Sequence, residues 1–291
     1  MADGRTAARL TIVVGARRSE GSVDRCLGAL GGQKVDGVRI VLVEDAHGGG
    51  HPAADVAIVR QGGLVPELWA EGLRHADGPL VALTAAAVVP DDDWVDAVLA
   101  RHPRGQACVG GPVEPGRYRR LTDWAVYFCR YARYMVPVSD TTLDPAGDNA
   151  SYRSEILDRY RDLYADGFWE PFVHEALRAD GERIEMGSAG VVRGAPGVGL
   201  ASFSRQRLRH GRAHGRTAAA AEDRVHMMMR CLGTPAVPVV MTARAARTVV
   251  ATGRHRIALA ACSPVLVWFY SCWAIGELLG RLERLTGRHG T

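Results

Sequence analysis

The chain has 291 residues, 47% of them apolar and 23% charged, which allows one large α/β domain with an appendage or two small domains and excludes disorder except at the ends. Its 36 Lys and Arg against 32 Asp and Glu leave a net charge of only +4, too small to indicate a nucleic-acid partner. Cys26, Cys108, Cys129, Cys231, Cys262 and Cys272 are scattered, with no CxxC pair or His/Cys cluster, and read as free thiols in a reducing compartment.

In chain order, Met1 to Leu10 is polar and the apolar run behind it is too short for a signal segment, so a cytoplasmic start is expected. Leu10 to Val14 reads as a strand ending at Gly15, followed by a helix with Val23, Leu27 and Leu30 on one face. Val38 to Val43 is a second strand, ending in Glu44-Asp45 before the Gly-rich loop His47 to His51. Val56 to Val59 is a third strand, Pro66 to His75 a helix, and Leu80 to Leu83 a fourth strand. This β-α-β-β-α-β order predicts a mostly parallel, Rossmann-like α/β sheet flanked by helices, with ligands at the carboxyl ends of its strands.

These stretches resemble the N-terminal half of a family 2 glycosyltransferase with the GT-A fold. The resemblance is carried by LTIVVGARRSEGSVDRCL (10–27), VLVEDA (41–46), VPELWAEGLRHADGPLVAL (65–83) and Pro90 to Trp94. Further on, Gly147 to Arg153 is similar to that family's acceptor-side strand. Trp169-Glu170 through Gly181 resembles the segment that delivers its catalytic carboxylate, and Gln206 to His210 is close to a Gln-Arg-x-Arg-Trp motif with His for Trp. The resemblance covers roughly residues 10 to 215 as an ordered set of weak motifs. It implies inverting transfer of a sugar from a nucleotide-sugar donor, the co-substrate, to a hydroxyl.

Glu44 and Asp45 fall where the family contacts the nucleotide base; the bland alternative is a turn closing a strand. Beside them, Gly15-Ala16-Arg17 replaces the usual Pro-Thr-Tyr, so a roomier pocket is expected, with Arg17 reaching the ribose or a phosphate. Ala85 and Ala87 align with the two acidic positions of the Asp-x-Asp metal motif. Alanine offers no hard oxygen ligand to Mg²⁺ or Mn²⁺. A second ligand position, a His in many members, reads Arg193-Gly194 after an expected strand from Ile184 to Val192. No divalent metal cofactor is therefore expected. Asp91-Asp92-Asp93 reads instead as the capping first turn of a helix begun by Pro90.

Glu170 falls at or next to the family's general base, with Phe168, Trp169, Pro171 and Phe172 as an apolar wall to raise its pKa. His174 and Glu175 are alternatives on the same helix, His174 sharing a face with Glu170 four residues before it; an ordinary helix N-terminal acid is the structural reading. Asp148 and Asn149 end the turn-rich loop Ser139 to Gly147, at a place that lines donor sugar and acceptor in the family. The helix Asp123 to Met135 is dense in aromatics and expected to be core with one exposed edge. Arg205, Arg207, Arg209 and Arg212, with Arg216, His210 and His214, read either as a solvated or membrane-surface helix or as guanidinium groups that neutralise the leaving diphosphate in place of a metal.

Ile257 to Gly276 is twenty residues without a charge, about the length of a membrane span. Ser263-Pro264 in its middle and arginines on both flanks, including Arg281, Arg284 and Arg288, favour a re-entrant hairpin or interfacial helix pair over a simple span; a buried dimerisation helix is the alternative. Met227 to Met229 is expected to pack in any of these arrangements. The expected organisation is a GT-A-like transferase domain over residues 8–220 and an apolar helical tail over 221–291, membrane-associated or forming a homodimer. The expected function is metal-independent glycosyl transfer to a lipid-linked or small-molecule acceptor, at the inner face of the cell membrane. A protein that keeps the fold as a binding or scaffold subunit, or that runs another biosynthetic reaction in the old pocket, is the second hypothesis.

Overall fold

The computed structural model describes residues 8–17, 22–46, 50–102, 105–138 and 144–286. The readings that involve Arg18 to Glu20, residues 47–49 of the Gly-rich loop, residues 139–143 of the turn-rich loop, and Arg288 lie outside the described residues. The chain divides into two compact units, residues 1–117 with 133–197, and residues 118–132 with 198–291.

In the first unit the strands are β1 (Leu10–Ala16), β2 (Val38–Glu44), β3 (Val56–Val59), β4 (Leu80–Ala85), β5 (Val88–Pro90), β6 (Cys108–Gly110), β7 (Val113–Glu114), β8 (Asn149–Arg153), β9 (Ile184–Met186) and β10 (Val192–Gly194). Seven form one sheet in the order β3-β2-β1-β4-β8-β6-β9. The pairs β1–β2, β1–β4, β2–β3 and β6–β9 are parallel, and β8 is antiparallel to both neighbours. Every residue of β1 is buried. A parallel strand with both faces covered has no water-facing side, which is why this run is apolar apart from Thr11, whose hydroxyl bonds Asp77, and does not alternate. β3, at the edge, alternates between half-buried and exposed residues.

The flanking helices of this unit are α1 (Val23–Gly32), α2 (Val65–Leu73) and α3 (Trp94–Ala100). α4 (Leu121–Tyr131) belongs to the second unit, and α5 (Ser154–Leu157) and α6 (Glu170–Ala179) return to the first. α2 is started by Glu67, whose carboxylate accepts from the Leu64 N–H at 2.8 Å, with Pro66 in the first turn where its missing N–H costs nothing. Gly72 lets α2 lie close on the sheet, since a Cβ there would stand 2.3 Å from Val13 Cγ1.

Three local expectations are corrected. The strand expected over Ile184 to Val192 is two strands in two different sheets: β9 joins the main sheet, and β10 joins β5 and β7 in a small one. A left-handed turn at Gly190 (φ 64°) separates them, and its carbonyl is claimed by Asn149 and Arg101. Pro90 ends a strand and does not begin a helix. Asp93 takes the N-cap position of α3 without a side-chain cap bond, and Asp91 forms a paired contact with Arg193 at 2.7 and 2.8 Å. Arginine recruits the carboxylate that propensity alone assigned to capping.

The second unit is helical: α4, α7 (Leu200–Ala221), α8 (Arg224–Gly233), α9 (Val237–Thr252) and α10 (Arg256–Leu285). α7 and α10 touch backbone to backbone. A Cβ on Gly211 would stand 2.2 Å from the Trp273 carbonyl, and one on Gly276 would stand 2.1 Å from the Leu208 carbonyl; Gly215 and Gly280 are equally tight. Phe203 meets Phe269 edge to face at 4.6 Å, and Tyr127, Phe128 and Tyr131 of α4 are buried, as expected for an aromatic core helix. Residues 257–276 form no hairpin, because α10 runs unbroken through Pro264. The proline falls in the first three turns, where it removes one backbone bond and the long remainder of the helix holds the axis. Of the three methionines expected to pack, only Met227 does so; Met228 and Met229 are 58% and 66% exposed.

Candidate functional site

The carboxyl ends of β1, β2 and β4 lie side by side, Ala16 opposite Glu44 and Gly15 opposite Ala85, and Thr84 pairs with Asn149 at the start of β8. Topology thus brings Gly15, Ala16, Arg17, Glu44, Asp45, Ala85, Ala87, Asp148 and Asn149 to one edge of the sheet, where open α/β folds place ligands. Arg17 Nε is 3.6 Å from Asp45 Oδ2, both side chains mostly buried. Glu44 is buried beside them.

The roomier pocket expected at Gly15 is not there. The space a side chain would take is occupied by Trp69, whose indole is 3.2 Å from a Cβ built on Gly15 and whose Nε1–H donates to the Thr84 carbonyl at 2.6 Å. The same ring reaches under Gly147, where a Cβ would come within 2.6 Å of it and 2.8 Å of Glu170 Cγ. Trp69 is therefore the floor of the site. Nothing in the sequence singled it out beyond its indole N–H, a donor that needs a partner when buried.

Glu170 opens α6 and is half-buried. Its Oε1 accepts from the Gly147 N–H at 3.2 Å. Burial raises its pKa above the usual carboxylate range, and the nearby Asp148 charge adds to the rise; bonds to backbone N–H groups and His174 oppose it. Of the expected wall, Phe168 and Trp169 are buried, whereas Pro171 is exposed. Arg133 and Tyr134 were missed by sequence reading. The Arg133 guanidinium donates to the Tyr134 hydroxyl and faces the charges of Asp144 and Glu170.

His174 lies fully buried one turn behind Glu170. Its Nε2 is 2.9 Å from the Tyr152 hydroxyl and 3.7 Å from Cys108 Sγ, and its ring stacks on Tyr152 at 5.9 Å. Nδ1 is 3.4 Å from Asp144 Oδ1, long for a hydrogen bond, while Arg178 holds that carboxylate directly. His174 and then Arg178 pull the Asp144 pKa down to about 2. This arrangement steadies α6 against β8 and β6 beneath the Glu170 carboxylate.

Asn149 has every polar atom engaged. Its amide donates to the carbonyls of Pro112 and Gly190 at 2.8 and 2.9 Å, and its oxygen accepts from Trp94 Nε1–H at 2.8 Å. It works as a clamp between segments. The turn after β4 is equally committed: Ala86 N–H donates to the Gly15 carbonyl, Ala195 N–H donates to the Ala87 carbonyl, and Ser22 binds the Ala86 carbonyl. Ala85 and Ala87 are buried. The donor set at this turn does not fit a divalent metal, since it offers methyl groups and backbone already bonded, and Arg193, which the resemblance placed at a second ligand position, is paired with Asp91. Among the described residues no group of three His, Cys, Asp or Glu is arranged to hold one.

Arg205, Arg207, Arg209 and Arg212 lie on α7 in the second unit. Arg207 is buried with its guanidinium 4.9 Å from the Phe203 ring centre. Arg212 Nε donates to Glu283 at 2.6 Å, and Arg216 lies 3.8 Å from the same carboxylate. Arg205 and Arg209 are exposed, Arg205 donating to the Ala201 carbonyl at 3.3 Å.

The sequence matches no protein-family model and no curated protein. Among solved structures, the chain superposes on the mannosyltransferase PcManGT from Pyrobaculum calidifontis, solved with GDP-Man and Mn²⁺. The TM-score is 0.54 at 18% identity, with 99% of this chain and 90% of that one covered. TarS from S. aureus aligns over 94% of this chain and 55% of its own at 13% identity, with a TM-score of 0.45. A shorter TarS in complex with UDP-GlcNAc aligns over 97% and 93% at 11% identity, with a TM-score of 0.47. The PcManGT superposition establishes the fold: a GT-A-type α/β sheet with flanking helices and an apolar C-terminal helix.

Proposed function

We propose that the protein is a family 2-like glycosyltransferase that moves a sugar from a nucleotide-sugar donor to a hydroxyl on a lipid-linked or small-molecule acceptor, with inversion. The reading is carried by Glu170: a half-buried carboxylate of raised pKa, held by the Gly147 N–H, beside Asp148 at the ligand edge of a GT-A-type sheet. In this reading Glu170 takes the proton from the acceptor hydroxyl as its oxygen attacks the anomeric carbon. The bond from that carbon to the diphosphate oxygen breaks, and the nucleoside diphosphate leaves. Glu44 and Asp45 hold the nucleoside, Arg17 reaches towards ribose or phosphate, and His174 positions α6. Residues 8–220 carry the transfer and residues 221–291 form an associating tail, at the cytoplasmic face of the cell membrane.

For Arg205, Arg207, Arg209 and Arg212 a diphosphate role is a proposal with its own test: Arg205→Gln and Arg209→Gln should each weaken nucleoside diphosphate binding by roughly tenfold, as calorimetry reads it. The alanines of the β4 turn support transfer without a metal. Turnover with the cognate donor is expected to persist in EDTA, and a strict need for Mn²⁺ would overturn that part of the reading. The same buried alanines favour a second reading, a binding or scaffold subunit. Titration with UDP-, GDP- and TDP-sugars, followed by assay for released nucleotide, separates the two: binding with no release selects the scaffold.

A further inference from the structure

α8 is amphipathic the wrong way round for a core helix. Its apolar residues recur at Val225, Met228, Met229 and Leu232, the spacing of one helix face, and that face is turned to solvent, with exposures of 66%, 58%, 66% and 80%. Only Met227 of this helix is buried. α9 also carries exposed apolar residues: Val239, Val240 and Val250 are 69%, 45% and 56% exposed, while Ala245 and Val249 pack inward. Ile257, at the start of α10, is 88% exposed. Exposed apolar residues grouped on one helix face mark an interaction site.

Charge indicates what covers it. From Arg224 through Gly276 the sequence contains no aspartate or glutamate and six arginines, at 224, 230, 244, 247, 254 and 256. Helices with an exposed apolar stripe and purely basic flanks bind the headgroup region of an anionic bilayer, where the stripe enters the acyl boundary and the guanidinium groups meet lipid phosphates. A span by α10 is disfavoured on packing grounds. α7, with arginines at 205, 207, 209, 212 and 216, lies backbone to backbone against α10 at Gly211–Gly276 and Gly215–Gly280. The α10 residue Arg281 is itself buried against Glu222 and Glu277. Such a helix cannot carry its partner into hydrocarbon.

We propose that the solvent-facing stripe of α8 and α9, flanked by Arg224, Arg230, Arg244 and Arg247, docks the protein in the plane of an anionic phospholipid surface. The proposal deepens the membrane-surface reading above, and its test uses no activity, so its failure is distinct from a failure of sugar transfer. The full-length protein is floated with vesicles of phosphatidylglycerol mixed with phosphatidylcholine, and with vesicles of phosphatidylcholine alone, and its mass is followed by light scattering. Flotation with the anionic vesicles, weakening as salt rises, is expected. Met229→Glu with Leu232→Glu should lower vesicle affinity at least about tenfold. Arg244→Gln and Arg247→Gln, which change only exposed side chains, should each lower it about fivefold. Three results overturn the proposal: no flotation of the wild type, flotation unchanged in the double Glu variant, or a dimer that the double Glu variant dissociates, which would assign the stripe to a second copy of the chain.

Discussion

At the scale of single residues the proposed transfer rests on one carboxylate, Glu170, and what shields it. Glu170→Gln keeps the shape and the acceptor of the Gly147 N–H but removes the proposed base, so transfer is expected to fall by roughly 10²- to 10⁴-fold with donor affinity nearly unchanged, measured by initial rates and calorimetry. Since the base must be ionised, kcat/KM should rise with pH through an acid limb displaced above the ordinary carboxylate value of about 4.3, in the direction burial shifts Glu170; a limb at the ordinary value would assign the proton to another group. Asp144 has the opposite sign. Its pKa is lowered to about 2, so its contribution to stability is present above about pH 4 and is lost between there and pH 2. Urea unfolding of Asp144→Asn should differ from wild type at neutral pH and converge with it towards pH 2. Glu170 was singled out in the sequence by the family resemblance of its segment, and its place at a helix start beside Phe168 and Trp169 is a local pattern that the structure keeps. Trp69, Arg133 and Tyr134 were not, because their places depend on distant segments: Thr84 and Gly147 lie 15 and 78 residues from Trp69, and Glu170 lies 37 from Arg133.

At the scale of elements, β8 and α7 are held by contacts that no propensity encodes. Asn149→Ala would strand the Trp94 indole donor and the carbonyls of Pro112 and Gly190, and should cost roughly 2–4 kcal/mol of unfolding free energy. A loss below the effect of an exposed substitution would mean that water replaces the clamp. Gly276→Ala forces a methyl against the Leu208 carbonyl and should destabilise the α7–α10 pair by about 3 kcal/mol, seen as a lower melting temperature. Strand positions were readable in β1, β2 and β4 because a buried parallel strand is a nearly continuous apolar run, and in β3, the half-exposed edge strand, because Val56 to Val59 is a short β-branched apolar run. The division of residues 184–194 between two sheets was not, since it follows from Asn149 and Arg101 drawing on the Gly190 carbonyl. The aspartates after Pro90 were misread for a similar reason: a distant arginine outcompetes a local cap.

At the scale of the whole molecule, the chain combines a mostly parallel α/β unit of a fold that PcManGT shares with a helical unit whose α8 and α9 carry exposed apolar residues between arginines. Vesicle flotation and EDTA resistance are the measurements that belong here, because one tests the proposed docking on an anionic surface and the other whether the proposed transfer needs a metal. The sequence alone determined the alternation of strands and helices, the alanines in the β4 turn, the carboxylate at the head of α6 and the acid-free, arginine-rich C-terminal stretch, because each is a matter of composition or local period. Only the tertiary structure decided that Trp69 occupies the space left at Gly15, that Asn149 is a clamp, that His174 is buried behind Glu170, and that the α8 stripe faces outward. Those outcomes turn on which surfaces find partners when distant segments pack, and a hydrophobic period is the same whether its face is covered by the fold or left for something else.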